Sequence, residues 1–561
     1  MPIEERLADL LVSTGVIGSD QLDEALAIKS RTGEPLPAIF VRQGWITTSD
    51  LVEFFESLSE IHSLLSPGAD VLQLIPEDLM RRHQVFPLAR DVHRLTLAMA
   101  DPLNVDAADD VRRVSGCLRV EPLYVPAELI ERAIERQFGG ALLDRLVESC
   151  RPDEEGGEEV RGRAYRSVDE VVGEGPVARL MQTLILQAVQ RDATDIHLEP
   201  GREGMGVRFR IDGVLQPVMD VSPEVSTALI ARLKIMAEMD ISEKRLPQDG
   251  RVQVQVGARD IDLRVSTIRT VFGEKAVVRL LDRTRLLFGL DELGFSKPCL
   301  EKLRELIRDP YGMVLVTGPT GSGKTTTLYA ILKELNSPGV NIVTIEDPVE
   351  YILKGANQIP INRKAGLDFA RGLRSILRQD PEIIMVGEIR DTETARIATR
   401  SAITGHMVFS TMHTNDAAGA LTRLTDMDVE PFMVASSLLA VLAQRLVRVV
   451  CRYCREEYMP DADSCERFFM GQHYDPARPV YRAVGCNHCD GSGYRGRAAV
   501  AELLVVNTHL RDLVYRRVPL AELRTAARSD GMVSIVDDGL TKVLDGLTTL
   551  SELMRIRHSD A

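Results

Sequence analysis

The run Gly318-Pro319-Thr320-Gly321-Ser322-Gly323-Lys324-Thr325 fits G-x-x-x-x-G-K-[ST]. It constrains the fold more than any other stretch, because such a loop works only between a strand and a helix. An apolar segment at 313–316 precedes it and a helical segment at 326–335 follows. Glycines let the backbone curl so that its N–H groups face an anion. In such a loop Lys324 reaches the β and γ phosphates of a nucleotide and the Thr325 hydroxyl ligates Mg²⁺. The candidate binding set is Gly318, Pro319, Thr320, Gly321, Ser322, Gly323, Lys324, Thr325 and Thr326. From about residue 290 the pattern is strand–loop–helix repeated, which predicts an α/β layer with a mostly parallel sheet.

Parallel sheets bind ligands at the carboxyl ends of their strands. Two further apolar strands, 342–345 and 383–386, end in acids: Glu346, Asp347 and Glu350 after the first, Glu388 after the second. Phosphoryl transfer asks the protein for positioning, charge neutralisation and an oriented water. Glu388 is the candidate carboxylate for Mg²⁺ and water. Glu350 is the candidate base that polarises the water, and Glu346 competes for that role. The segment 404–413 is another strand with polar ends. Its His406 and His413 have two readings: sensing the γ-phosphate or coupling subunits, or bonding to backbone carbonyls. Arg374 and Arg378 share a helix face, and Arg208 and Arg210 share a sheet face. Each pair is a candidate charge clamp for the transferring phosphate, with a surface salt bridge as the alternative.

The eight cysteines fall into two groups. Cys451-x-x-Cys454 and Cys486-x-x-Cys489 are two knuckles that can close a tetrahedral thiolate cage, the structural Zn²⁺ geometry. No position is left open, so the site should pin the excursion 451–489 and contribute to folding. His488 is a minor alternative ligand. Cys117, Cys150, Cys299 and Cys465 are scattered and are expected to be buried apolar residues.

At about 150 residues per domain, 561 residues suggest three to four domains. Residues 1–65 hold a weak helical tandem repeat, with Gly15-Val16-Ile17 echoed by Gly44-Trp45-Ile46. Residues 66–150 read as a small α+β unit, with strands at 85–88 and 95–100 and helices at 106–115 and 126–137. The region 151–175 contains the acidic run 153–159 and reads as a tether. A smaller α/β domain is expected at 176–285. It opens with a helix at 177–189, followed by strands at 207–211, 252–256, 261–265 and 276–281. The strand–loop–helix layer occupies 286–561.

Lys plus Arg number 68 against 83 Asp plus Glu, a net charge of −15, which disfavours a protein whose main task is coating nucleic acid. The N-terminal residues lack a basic stretch leading into an apolar core, so no signal peptide is expected. No apolar run approaches the roughly 20 residues of a membrane span. The longest, 433–443, reads as a buried helix.

From about 176 to 560 the chain resembles the secretion ATPase family of type II secretion and type IV pilus assembly. Thr194-Asp195-Ile196-His197-Leu198-Glu199-Pro200, Arg208-Phe209-Arg210-Ile211-Asp212-Gly213 and Leu246-Pro247-Gln248-Asp249-Gly250-Arg251 carry the resemblance, together with the phosphate loop. Glu346-Asp347-Pro348-Val349-Glu350 looks like the family's aspartate box, 377–391 like its atypical Walker B and 404–417 like its histidine box. The paired cysteines match its zinc-bearing insertion. His413-Thr414-Asn415-Asp416-Ala417 and the stretch 426–432 lean toward the secretion branch, that of general secretory pathway protein E.

The resemblance implies a RecA-like P-loop ATPase core preceded by a smaller α/β, PAS-like domain and an N-terminal α plus α/β module. It implies ATP with Mg²⁺, structural Zn²⁺ and a homo-hexameric ring in the cytoplasm. Hydrolysis of ATP to ADP and phosphate would drive pseudopilus assembly through inner-membrane platform proteins, one of them docking the N-terminal module. Pilus extension is the alternative. The first 140 residues resemble the family's N-terminal region, and the repeat resembles a cyclic di-GMP-binding motif. Here Ala8, Lys29, Pro35 and Pro37 replace residues usual at ligand-contact positions, so binding of that ligand is not expected.

Overall fold

The computed structural model describes residues 17–32, 36–46, 67, 69–91, 94–134 with single omissions, 166–167, and 175–559 apart from 257–258 and 283–287. The first helix of the tandem repeat, the end of its second copy and the acidic run 153–159 lie outside the described residues. The chain divides into two units, Met1–Glu155 with Gly175–Thr183, and Gly156–Glu174 with Leu184–Ala561.

In the first unit the helices Ser19–Thr32 and Leu36–Arg42 precede three strands, β1 (Val85–Asp91), β2 (Arg94–Met99) and β3 (Arg119–Tyr124). β1 pairs antiparallel with β2, which pairs parallel with β3 across the helix Val105–Ser115. The Asn104 side chain accepts from the Ala107 N–H at the start of that helix, so a polar residue just before the apolar periodicity caps it. Phe40 from the helical pair shares one core with Phe86, Leu97 and Val111.

The second unit begins its sheet structure with β4 (Arg166–Ser167), a two-residue edge strand inside the region read as tether. Then come β5 (Asp195–Pro200), β6 (Met205–Ile211), β7 (Val214–Val221), β8 (Gln248–Val256), β9 (Arg259–Arg269) and β10 (Glu274–Asp282). They form one sheet in the order β4-β8-β9-β10-β5-β6-β7, antiparallel except for β4 against β8. The expected strands fall inside β6, β8, β9 and β10. β5 escapes a hydrophobic count because its polar residues are tied across strands. Asp195 meets Arg279 at 3.1 Å, and Glu199 meets Arg208 at 2.5 Å and Lys275 at 2.8 Å.

The larger sheet contains β11 (Gly312–Thr317), β12 (Ile342–Glu346), β13 (Ala356–Pro360), β14 (Ile383–Val386), β15 (Met407–Met412), β16 (Leu438–Val450) and β19 (Tyr494–Val505). Its order is β13-β12-β14-β15-β11-β16-β19, and every pair is parallel except β16–β19. All of β11 is buried, as befits a central strand covered by helices on both faces. The remaining strands, β17 (Arg455–Tyr458) and β18 (Val480–Ala483), pair antiparallel in the excursion between β16 and β19, with the short helix Cys465–Met470 between them.

The run 433–443 is not one buried helix. A short helix, Pro431–Ser437, gives way at Leu438 to the long strand β16. A strand buried on both faces is continuously apolar, and periodicity alone cannot separate it from a buried helix. Pairing with β11 on one side and β19 on the other decides the matter. Of the scattered cysteines, Cys117 is buried, Cys299 is half-buried and Cys465 is exposed, contrary to expectation for the last. Cys465 opens the short helix Cys465–Met470, whose one buried residue is Met470. Cys150 lies outside the described residues. Among the described residues no helix is long and apolar enough to cross a membrane.

Candidate nucleotide site and tetracysteine centre

The phosphate loop leaves the carboxyl end of β11 and enters the helix Lys324–Leu335. Pro319, Thr320 and Gly321 are exposed, whereas Gly318, Ser322 and Lys324 are buried. Thr325 is exposed and Thr326 half-buried. The Lys324 ammonium donates to the carbonyls of Gly318 at 2.9 Å and Pro319 at 3.0 Å. Burial, with Arg445 nearby, brings this lysine down to about 8, against the pull of the Glu388 carboxylate. A buried cation held by carbonyls is poised to exchange them for phosphate oxygens. The buried Ser322 hydroxyl has no hydrogen-bond partner among the described residues. These features fit a polyphosphate.

The carboxyl ends of β12, β14 and β15 lie at the same edge of the sheet. There Glu388 is 15% exposed and pairs with Arg390 at 2.5 Å, while His413 approaches it at 3.8 Å. His413 is held below its ordinary value by burial and by the Lys324 charge. Glu350 is also partly open, and Arg264 of β9 donates to it at 2.9 Å. Glu346 differs. It is 3% exposed, and its carboxylate accepts from Tyr329 at 2.5 Å, Thr344 at 2.7 Å and Gln358 at 3.1 Å. The Glu346 side chain is a buried clasp between β12, β13 and the helix after the phosphate loop.

The other candidates divide. His406 bonds the Ser401 carbonyl at 3.1 Å, the backbone reading of the two offered for it. Arg374 pairs with Glu393, and Arg378 donates to the Arg374 carbonyl at 2.8 Å. Arg208 is tied to Glu199 at 2.5 Å, and Arg210 bonds the Gly213 carbonyl at 3.0 Å and faces Asp195 at 3.6 Å. None of these four arginines has a contact with the loop or its acids among those resolved. Arg264, which does, was missed. Its signal was the alternation Ile261-Asp262-Leu263-Arg264-Val265, which places it opposite buried Leu263 and Val265. A second tie joins the same domain to the ATPase layer: Asp212, at the β6–β7 turn, accepts from the Gly496 N–H at 2.9 Å.

The four knuckle cysteines converge, with all Sγ atoms within 4.8 Å of one another. The Sγ–Sγ distances are 3.8 Å for Cys451–Cys486, 3.8 Å for Cys454–Cys489 and 3.7 Å for Cys486–Cys489. A zinc ion bonded to four sulfurs at about 2.3 Å needs a tetrahedron edge of about 3.8 Å. Backbone N–H groups of Gly485, Cys486 and Gly493 point at the sulfurs of Cys454 and Cys489 from 3.1 to 3.3 Å, the environment of a thiolate. His488 turns away and meets Arg495 at 2.8 Å. The four cysteines therefore fit a metal without it.

A parallel sheet with a phosphate loop on its central strand and strand-end acids beside it defines a RecA-like P-loop ATPase fold. Residues 170–555 match the type II/IV secretion system protein family, and residues 63–142 match the MshEN domain. The chain belongs to the type II/IV secretion system protein family, and it is an ATPase of that family. The type IV pilus assembly ATPase PilB of Thermus thermophilus is 45% identical over 494 residues, 87% of this chain and 54% of that protein. The chain thus spans about half the length of that relative. The type II secretion system protein E of Xanthomonas campestris is 39% identical over 568 residues, 99% of this chain and 98% of that protein. In fold, the Legionella pneumophila ATPase DotB matches with a TM-score of 0.51 at 20% identity, covering 68% of this chain and 96% of that one.

Proposed function

We propose that this chain is the ATP-hydrolysing motor of a type II secretion system, powering pseudopilus assembly and protein export across the outer membrane. The observation that carries the proposal is the gathering of Lys324, Glu350 and Glu388 at one sheet edge, in a chain similar along its whole length to a type II secretion protein E. MgATP, when bound, supplies the phosphoanhydride bond and an ion that neutralises its phosphates.

The protein's own part is positioning. Lys324 exchanges the Gly318 and Pro319 carbonyls for phosphate oxygens, and the Thr325 hydroxyl and Glu388 hold the metal side. Glu350 orients the attacking water, a role that Glu346 cannot share while three donors occupy its carboxylate. Arg264 and Arg390 hold the two acids in place until nucleotide binds, and His413 senses the state of Glu388. Cys451, Cys454, Cys486 and Cys489 hold one structural zinc ion. The motor works as a homo-hexameric ring in the cytoplasm, peripheral to the inner membrane through platform proteins, one docking the N-terminal module. It binds no nucleic acid, and cyclic di-GMP is not its ligand.

Type IV pilus extension is the second reading, favoured by the Thermus relative. Deleting the gene in its host separates the two. Loss of exported proteins from the medium with surface pili intact supports secretion, and the reverse result replaces it with pilus assembly.

A further inference from the structure

Gln444 lies in β16 directly beneath the phosphate loop and is 1% exposed. Its amide nitrogen donates to the Ser322 carbonyl at 2.7 Å, and its amide oxygen accepts from the Thr327 hydroxyl at 2.9 Å. One side chain thus grips the loop at Ser322 and the first turn of the following helix at Thr327. The fit is close on both flanks. A Cβ at Gly318, whose φ is +144°, would meet the Gln444 carbonyl oxygen at 2.5 Å. A Cβ at Gly323, whose φ is +86°, would meet the Gln444 amide nitrogen at 3.1 Å. These two glycines are needed for the strand below the loop as well as for the phosphates above it. The next residue, Arg445, is also buried and donates to the Asn415 carbonyl at 2.9 Å, two positions after His413.

We propose that Gln444 is a positioning residue for the polyphosphate of a nucleoside triphosphate, clamping the phosphate loop from below so that its N–H groups stay converged. The proposal rests on the reading of this loop as the ATP site. An amide is suited to the task because it donates to a carbonyl and accepts from a hydroxyl at once. A carboxylate loses the first bond and an aliphatic chain loses both. The curl of the loop is then set before nucleotide arrives, so the ordering cost is not drawn from binding.

The test uses the full chain and MgATP, with steady-state hydrolysis, binding of a fluorescent ATP analogue and thermal melting. Gln444→Leu should raise KM and the analogue's Kd about tenfold, the loss expected for buried groups left unpaired, with kcat changed much less. Thr327→Val removes only the helix half of the clamp and should give a smaller rise of the same kind. The double variant should be no worse than Gln444→Leu alone, because both changes break one unit. If Gln444→Leu folds poorly, Thr327→Val carries the test by itself. A lower melting temperature with unchanged KM and Kd would make Gln444 merely structural and overturn the proposal, as would additive effects in the double variant. Failure of the wild-type chain to bind MgATP would instead overturn the ATP-site reading and this proposal with it.

Discussion

Two sites flank one strand, β16, and are built in opposite ways. Gln444 of β16 touches the phosphate loop, and 451 − 444 = 7 residues later Cys451 begins the tetracysteine cage. The cage is closed. Its four sulfurs lie within 4.8 Å of one another, three of the pairs at 3.7 to 3.8 Å, and backbone N–H groups fill its flanks. The nucleotide site is open, and its charged groups hold partners that they can exchange. Lys324 rests on carbonyls, Glu350 on Arg264 and Glu388 on Arg390. A structural metal site gains from having no alternative state, whereas a site of turnover needs one ready for each step.

The sharpest way to break this contrast is to disable one site and ask whether the other notices. Glu388→Gln should leave MgATP binding within a few-fold and lower kcat by about 100-fold or more, while zinc content stays at about one per chain. Unchanged turnover would remove Glu388 from the chemistry. The reciprocal change, Cys486→Ser, should abolish zinc binding, measured by elemental analysis, and lower the melting temperature. The loss of one ligand leaves three thiolates crowded without their cation. Analogue binding at the phosphate loop should change less than about threefold, since the cage cysteines bond to one another and to their own loops. A large loss of nucleotide affinity would show that the cage shapes the open site directly.

The smallest effect is expected between the two sites, near the end of β16. Arg448 of β16 donates to Glu552 at 2.7 Å, and Arg555 meets the same carboxylate at 3.0 Å. Burial alone would raise Glu552, but the hydrogen bonds from the two arginines win and hold it below its ordinary value. A depressed carboxylate stabilises the fold fully above its unfolded value, near 4.5, and that share is lost as pH falls through the folded value. Glu552→Gln should therefore cost about 1–2 kcal/mol at neutral pH and flatten the acid limb of the stability curve. Parallel acid limbs in variant and wild type would argue that Glu552 is not coupled to the arginines.

The same contrast explains what could be read from the sequence. The cage and the phosphate loop are built from short motifs, so their residues are visible as short spacings, and β11, β12, β14 and β15 follow from apolar runs, whereas β16 does not. The second layer of the nucleotide site was not local. Gln444 directly follows a run, 433–443, whose apolarity fits helix and strand alike, and the strand pairing of β16 with β11 and β19 is what carries it beneath the loop. Arg264 lies 86 residues from Glu350, and nothing in its own strand announces that distance closed. The buried hydrogen-bonding of Glu346, which sets it apart from Glu350, depends on Tyr329 and Gln358, residues with no motif of their own. Arg208 and Arg210 share a face of β6, but the helix carrying Arg374 ends at Ile376, before Arg378, and Arg208 and Arg374 meet acids on neighbouring elements.

ATP turnover by the full-length chain, measured beside Lys324→Ala, tests the central claim most directly. The account predicts Mg²⁺-dependent release of phosphate by the wild type and none above background by the variant. The variant should keep the wild-type melting temperature and about one zinc per chain. Equal turnover by the two proteins, or none by the folded wild-type chain, would contradict it.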